Sequence, residues 1–262
     1  MTHEEPRPTA PGAGSSRRTL TGRCALVTGG AKRIGRALSL ALGEAGALVV
    51  VHYRSAEDEA RDTVATITGA GGKAGLVRGN LANHEQTLQL MEDATAAAGQ
   101  PVDILVNNAS VFENLNLMNT SVEDWDRNLA VNLRAPALLA RGMARQLPPK
   151  SFGDVLNLND DRIFRPGADN FPYTVSKVGL HGLTQSLALA LAPRIRVNEL
   201  ALGAILPPEV SADEEYDHTM RGAIPTERFD TTAEVTHAML FLLENPAMTG
   251  QTLCVNGGRH LI

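Results

Sequence analysis

From residue 22 to the end, short apolar runs alternate with longer stretches of helical spacing. The runs are CALVTG, ALVVVHY, AGLVRGN, DILVNNA, DVLNLN, IRVNELA and TLCVNGG. Between them lie IGRALSLALGEAG, HEQTLQLMEDATAAAG, VEDWDRNLAVNLRAPALLARGMARQL and YTVSKVGLHGLTQSLALALAP. A strand that is apolar on both sides needs cover on both faces, and parallel strands need a crossover between them. The alternation therefore predicts an α/β fold, one doubly wound domain over residues 21–262. Its seven-stranded parallel sheet carries helices on both faces.

The rest of the composition narrows the function. Residues 1–20 are rich in Pro, Gly and Ser and nearly devoid of apolar side chains, so a disordered tail is expected there. The 262 residues carry a formal net charge of -5, which gives no bulk attraction to nucleic acid. No apolar run approaches the roughly 20 residues that span a bilayer, and Glu4 and Glu5 argue against a signal or transit peptide. Cys24 and Cys254 sit inside apolar runs and read as core residues of a reducing, cytoplasmic compartment. The seven His are scattered, so no metal site is expected. The least regular internal stretch, about 205–229, reads as a substrate lid.

LVTGGAKRIGRAL joins the first strand to the first helix. Thr28, Gly29, Lys32, Arg33, Ile34 and Gly35 then form a turn in which backbone approaches a pyrophosphate and the helix N-terminus faces the anion. This makes the domain Rossmann-type. The second strand ends on His52, Tyr53, Arg54 and Ser55, without the carboxylate that would accept from a ribose 2′-hydroxyl. Arg54, Ser55 and Arg33 suit a 2′-phosphate, so NADPH is the expected cofactor. Asn80 and Leu81 close the third strand, where the Asn amide can meet an adenine edge, and Asn108, Ala109 and Ser110 close the fourth.

Tyr173 and Lys177 in PYTVSKVGL share one helix face. A phenol with a pKa of about 10 is a weak acid, and a nearby ammonium is expected to lower that value. A lone YxxxK also describes an amphipathic helix with a surface Lys, so the pair counts only beside the glycine turn.

Taken together, TGGAKRIG, NNAS, Asn132 in VNLRAP, YTVSK and VNGG resemble the short-chain dehydrogenase/reductase pattern, in order and over residues 22–262. The resemblance implies that Tyr173 donates a proton, that Lys177 holds the nicotinamide ribose and tunes Tyr173, and that Asn132 holds a water. It also places Gly203 and Ile205 beside the cofactor, Leu206 beside the substrate, and a homotetramer as the assembly. In the family a Ser usually precedes the Tyr by thirteen residues; here that position is Asp160. Asp161 after it reads as a turn residue. The carboxylate, Arg33 in the glycine turn, HYRSA and Phe112 in NASVF resemble the pteridine reductase and dihydromonapterin reductase branch. That branch implies a pterin-like substrate stacked on Phe112, with Arg33 at its polar edge and Asp160 on its N–H groups. Asn80, Leu202-Gly203 and Asn256 depart from the family's usual Asp, Pro-Gly and Asp. Two alternatives remain: a generic carbonyl reductase of 3-oxoacyl type, and an NADP-binding regulatory protein without catalysis.

Overall fold

The structure, a computed structural model, describes residues 18–205 and 222–262. Leu206, residues 1–17 of the expected tail and most of the expected lid lie outside the described residues.

Seven strands form one parallel sheet: β1 (Cys24–Val27), β2 (Leu48–Tyr53), β3 (Lys73–Arg78), β4 (Ile104–Asn107), β5 (Gly153–Asp160), β6 (Ile195–Leu202) and β7 (Thr252–Val255). Their order is β3-β2-β1-β4-β5-β6-β7, with every pairing parallel. Seven α-helices are described: α1 (Arg33–Glu44), α2 (Glu57–Gly69), α3 (His84–Ala98), α4 (Val122–Leu129), α5 (Ala135–Gln146), α6 (Phe171–Leu191) and α7 (Thr232–Glu244).

Alternate strand residues serve opposite faces. Val49, Val51, Ile104 and Val106 pack with Leu38 and Leu42 of α1, Ile67 of α2 and Met239 of α7. Val50 and Leu105, one step along, pack with Leu90 of α3, Leu139 and Met143 of α5, and Ala188 of α6. A one-residue slip in any central strand would exchange these two sets, so packing enforces the register. Several helices start on side-chain caps: Asn83 accepts from the Gln86 N–H, and Ser121 with Asp124 and Thr231 with Glu234 form capping boxes.

The stretch 122–147 reads as one helix by periodicity but is interrupted. Ala130–Arg134 forms a π-helical turn between α4 and α5, and it turns Asn132 inward at 1% exposure. The sheet order reverses at β1, which lies between β2 and β4, and the crevice beyond the carboxyl ends of these strands is where such sheets bind ligands. A cavity of about 680 Å³ lies at the opposite end, between Thr21, Gly46, Gly72 and Gln100, and among the described residues its ionisable lining groups are Glu44 and Lys73.

Candidate active site

The glycine turn is locked from three sides. The Thr28 hydroxyl accepts the Asn108 and Ala109 N–H groups at 2.9 and 3.1 Å, and Asn108 Nδ2 donates to the Thr28 and Gly29 carbonyls. Gly29 has φ +62, and a Cβ on Gly35 would lie 2.1 Å from the Gly29 carbonyl oxygen, so neither position accepts a side chain. Arg33 also takes a left-handed φ of 51, a conformation glycine adopts freely and Arg does not. Its side chain is exposed.

His52 acts as the third brace. It is 2% exposed, its Nδ1 accepts the Gly29 N–H at 3.0 Å, and its Nε2 lies 3.1 Å from the Gly79 carbonyl. These partners require the neutral ring with the proton on Nε2. Burial agrees, pulling the His52 pKa down to about 4. The sequence reading placed His52 against the cofactor; it lines the cavity that runs from Gly29, and its ring ties the turn to the Gly79 carbonyl.

These residues fit a dinucleotide. α1 begins without a side-chain cap and has no acidic residue in its first turn, which leaves its N-terminus suited to a phosphate. From Gly29 a cavity of about 350 Å³ runs past Arg54, Asn80, Leu81 and Ser110 to Phe112. Arg54 lines it and is exposed, as is the adjacent Ser55, whereas Tyr53 is buried in the core. Lys32 pairs with Glu59 at 2.5 Å, and Glu57 is drawn to Arg61, so the nearby carboxylates are neutralised. The Asn80 side chain accepts the Ala82 N–H at 3.1 Å, a local turn bond. Gly203 donates to the Val255 carbonyl and packs on Asn256, and Ile205 is buried beside it.

At the end of β5 the Tyr173 hydroxyl donates to Asp160 Oδ2 at 2.6 Å, and Asp160 Oδ1 accepts the Arg162 N–H. Phe112, 61% exposed, stands edge-on to Tyr173 with ring centroids 4.7 Å apart. Lys177 Nζ donates to the Leu158 carbonyl at 2.7 Å and sits 5.6 Å from the Tyr173 ring centroid. The expectation that Lys177 lowers the Tyr173 pKa does not hold in this chain. Burial, then the Asp160 charge, hold the phenol well above its ordinary value, while burial pulls Lys177 down to about 8. The arrangement keeps a proton on Tyr173 and aims it at the Asp160 carboxylate.

Two further residues are placed in detail. All four hydrogen-bond sites of the Asn132 side chain are taken by protein groups. Its Oδ1 accepts from the Val111 N–H and the Ser110 hydroxyl, and its Nδ2 donates to the Val111 carbonyl and Ser176. Asn132 therefore clamps the loop after β4 to α6. Asp161 is not a solvated turn residue: it is 6% exposed, with Arg259 Nη1 3.4 Å from both carboxylate oxygens.

The sequence reading missed Glu199, a fully buried carboxylate in β6. It accepts from Asn159, Thr184 and Thr252 and pairs with His181, and Asn159 also donates to the Lys177 carbonyl. A lone Glu inside a doubly apolar strand was the signal available. The expected lid's described end, residues 222–229, packs on the C-terminal turn, where Thr226 donates to the Gly257 carbonyl. Among the described residues no helix is long and apolar enough to cross a membrane.

A family model described as enoyl-(acyl carrier protein) reductase matches residues 29–260. The 3-oxoacyl-(acyl-carrier-protein) reductase of Staphylococcus epidermidis is 31% identical over 91% of this chain and 99% of its own. Nodulation protein G of Rhizobium meliloti is 36% identical over 93% of this chain and 99% of its own. Among solved structures, FolM alternative dihydrofolate reductase 1 from Brucella canis, complexed with NADP, superposes with a TM-score of 0.87. That protein is 35% identical, with 94% of this chain and 97% of that chain covered. With its glycine turn, its Tyr173–Lys177 helix and this coverage, the chain belongs to the short-chain dehydrogenase/reductase family.

Proposed function

We propose that this chain is an NADPH-dependent reductase of a pteridine, acting on a ring C=N bond of a dihydropterin-like substrate. The observation that carries the reading is the 2.6 Å hydrogen bond from Tyr173 to Asp160. A ketone offers only an acceptor oxygen, which a carboxylate repels; a pterin edge offers N–H donors, which a carboxylate binds. The exposed Phe112 ring beside Tyr173 supplies an aromatic face for a planar heterocycle, and exposed Arg33 supplies a cation for its polar edge.

NADPH, when bound, supplies the hydride. Thr28, Gly29, Gly35 and the start of α1 hold its pyrophosphate, Arg54 and Ser55 its 2′-phosphate, and Asn108–Ser110 the path to the nicotinamide. Asp160 orients the ring, and Tyr173 delivers the proton to the ring nitrogen. Lys177, fixed by Leu158, presents its ammonium to the ribose. Leu206 is assigned to the substrate and Gly203 and Ile205 to the cofactor by family position alone. We also infer a cytoplasmic homotetramer; exposed Val122, Val178 and Leu189 on α4 and α6 support an interface there.

The second reading, a 3-oxoacyl reductase, is favoured by the Staphylococcus relative. NADPH oxidation, followed by its near-ultraviolet absorbance, separates the two. Dihydrobiopterin, dihydromonapterin and dihydrofolate are offered beside an acetoacetyl thioester. Pterin turnover that collapses in Asp160→Ala and Tyr173→Phe is the expected result. Turnover of the thioester alone would make this a ketone reductase. NADPH binding without turnover of any substrate would favour a non-catalytic, regulatory role.

A further inference from the structure

Tyr173, Lys177 and His181 follow one another at intervals of four on α6 and share one of its faces. Each reaches the sheet: Tyr173 at Asp160 and Lys177 at Leu158 on β5, and His181 at Glu199 on β6. Lys177 is pinned at both ends to adjacent residues of β5. Its Nζ donates to the Leu158 carbonyl at 2.7 Å, and its own carbonyl accepts from Asn159 Nδ2 at 3.2 Å. The ammonium has three N–H groups, so two are left for the site.

Asn159, 3% exposed, joins these parts. Its Oδ1 accepts the Asp160 N–H at 3.0 Å, and Nδ2 donates to Glu199 Oε2 at 2.7 Å as well as to the Lys177 carbonyl. One amide therefore holds the backbone of both Asp160 and Lys177. Glu199 fixes which way round that amide sits. Turned over, it would set its oxygen against a carboxylate and a carbonyl and face the Asp160 N–H with its own N–H groups. Glu199 is in turn held by the Thr252 hydroxyl on β7 at 2.7 Å and by His181 Nδ1. A fully buried carboxylate adds little stability even when paired, so stability alone does not account for a Glu in this strand.

We propose that Glu199 is a positioning residue of the active site: it anchors Asn159 and, through that amide, sets Asp160 and Lys177 around Tyr173. Its charge gives the role a signature that packing would not have. Burial pulls Lys177 down to about 8, and Asp160 and then Glu199 work against that fall. The other ionisable groups around the pair are Tyr173 and His181 on α6 and Cys254 on β7.

The proposal rests on the reductase reading but not on the choice of pterin over ketone. Its test is a double-mutant cycle in kcat, on whichever substrate of the panel is turned over, with Glu199→Ala, Asn159→Ala and the double variant. Each single change should lower kcat about tenfold or more, and the double should lose no more than the larger single loss. Losses that multiply, or a wild-type kcat in Asn159→Ala, would overturn the proposal. Glu199→Gln keeps an oxygen for Asn159 and drops the charge. In wild type, kcat/KM for NADPH should fall as pH rises through the Lys177 ionisation near 8, and Glu199→Gln should move that fall to lower pH by about one unit. An unmoved fall would reduce Glu199 to a structural group, and this arm decides if Glu199→Ala does not fold. The cofactor-free protein gives a readout without turnover. Lys177 makes stability rise with pH above about 8, and in Glu199→Gln the rise should begin at lower pH. Should no substrate be turned over, the reductase reading falls, and a rise that begins at the wild-type pH still overturns the role of Glu199.

Discussion

Replacing Asp160 by Ala removes the charge that, after burial, does most to keep the Tyr173 phenol protonated. Tyr173 should then ionise at lower pH than in wild type. The chain has only three Tyr, so an ultraviolet tyrosinate titration resolves the change. An unchanged titration would mean that Asp160 does not help to keep the phenol protonated. Lys177 carries the opposite cost. Its pKa is lowered by burial from 10.5 to about 8, so below pH 8 the fold holds an ammonium it disfavours. The unfolded chain binds more protons between these values, and stability rises with pH across that window. Lys177→Met should therefore abolish turnover, stabilise the protein by roughly 1–3 kcal/mol at pH 7 and flatten that rise. Denaturant unfolding at pH 7 and 10 checks it; a less stable variant at pH 7 would refute the idea that Lys177 is kept at a cost for function.

Among the elements, the π-helical turn between α4 and α5 connects sequence to site most directly. Asn132→Ala deletes four hydrogen bonds and frees both the Ser110–Val111 loop and Ser176. The expected cost is about 2–4 kcal/mol of stability. Because this loop lines the cofactor cavity, kcat should fall by roughly 10- to 100-fold. A variant that loses stability but keeps kcat would confine Asn132 to scaffolding. The turn was not legible in the sequence, because AVNLR continues the apolar spacing of its neighbours and the signal for a kink is a single inward amide. Strands such as CALV, LVVVHY and ILVN were legible for the opposite reason, since burial on both faces favours apolar runs, whereas β5 and β6 set Asn157, Asn159, Asn198 and Glu199 among apolar residues. Within the site, Tyr173 and Lys177 could be paired by their spacing on one helix, and Asp160 placed by its position in the family pattern. His52 and Asp161 could not, because their roles depend on Gly29 and Arg259, distant in sequence and brought close only by the fold.

At the scale of the molecule these two residues set opposing pH dependences. His52 is held neutral, with its pKa lowered from 6.5 to about 4, so the unfolded chain binds more protons between pH 4 and 6.5. Its contribution is complete above pH 6.5 and is lost as pH falls toward 4, on the order of 3 kcal/mol over the window. Asp161 has its pKa raised from 3.8 to about 6, so the folded chain binds more protons there, and its contribution is lost as pH rises. Between pH 4 and 6 the two slopes nearly cancel. Asp161→Asn removes one of them, so its stability should fall more steeply than that of wild type as pH drops from 6 to 4. His52→Gln, with a side chain that does not titrate, should leave the Asp161 slope uncompensated: less stable at pH 7, it should gain as pH falls toward 4. Unfolding by urea at closely spaced pH values measures both slopes. Parallel curves for wild type and Asp161→Asn would show that Asp161 has an ordinary carboxylate pKa in the fold.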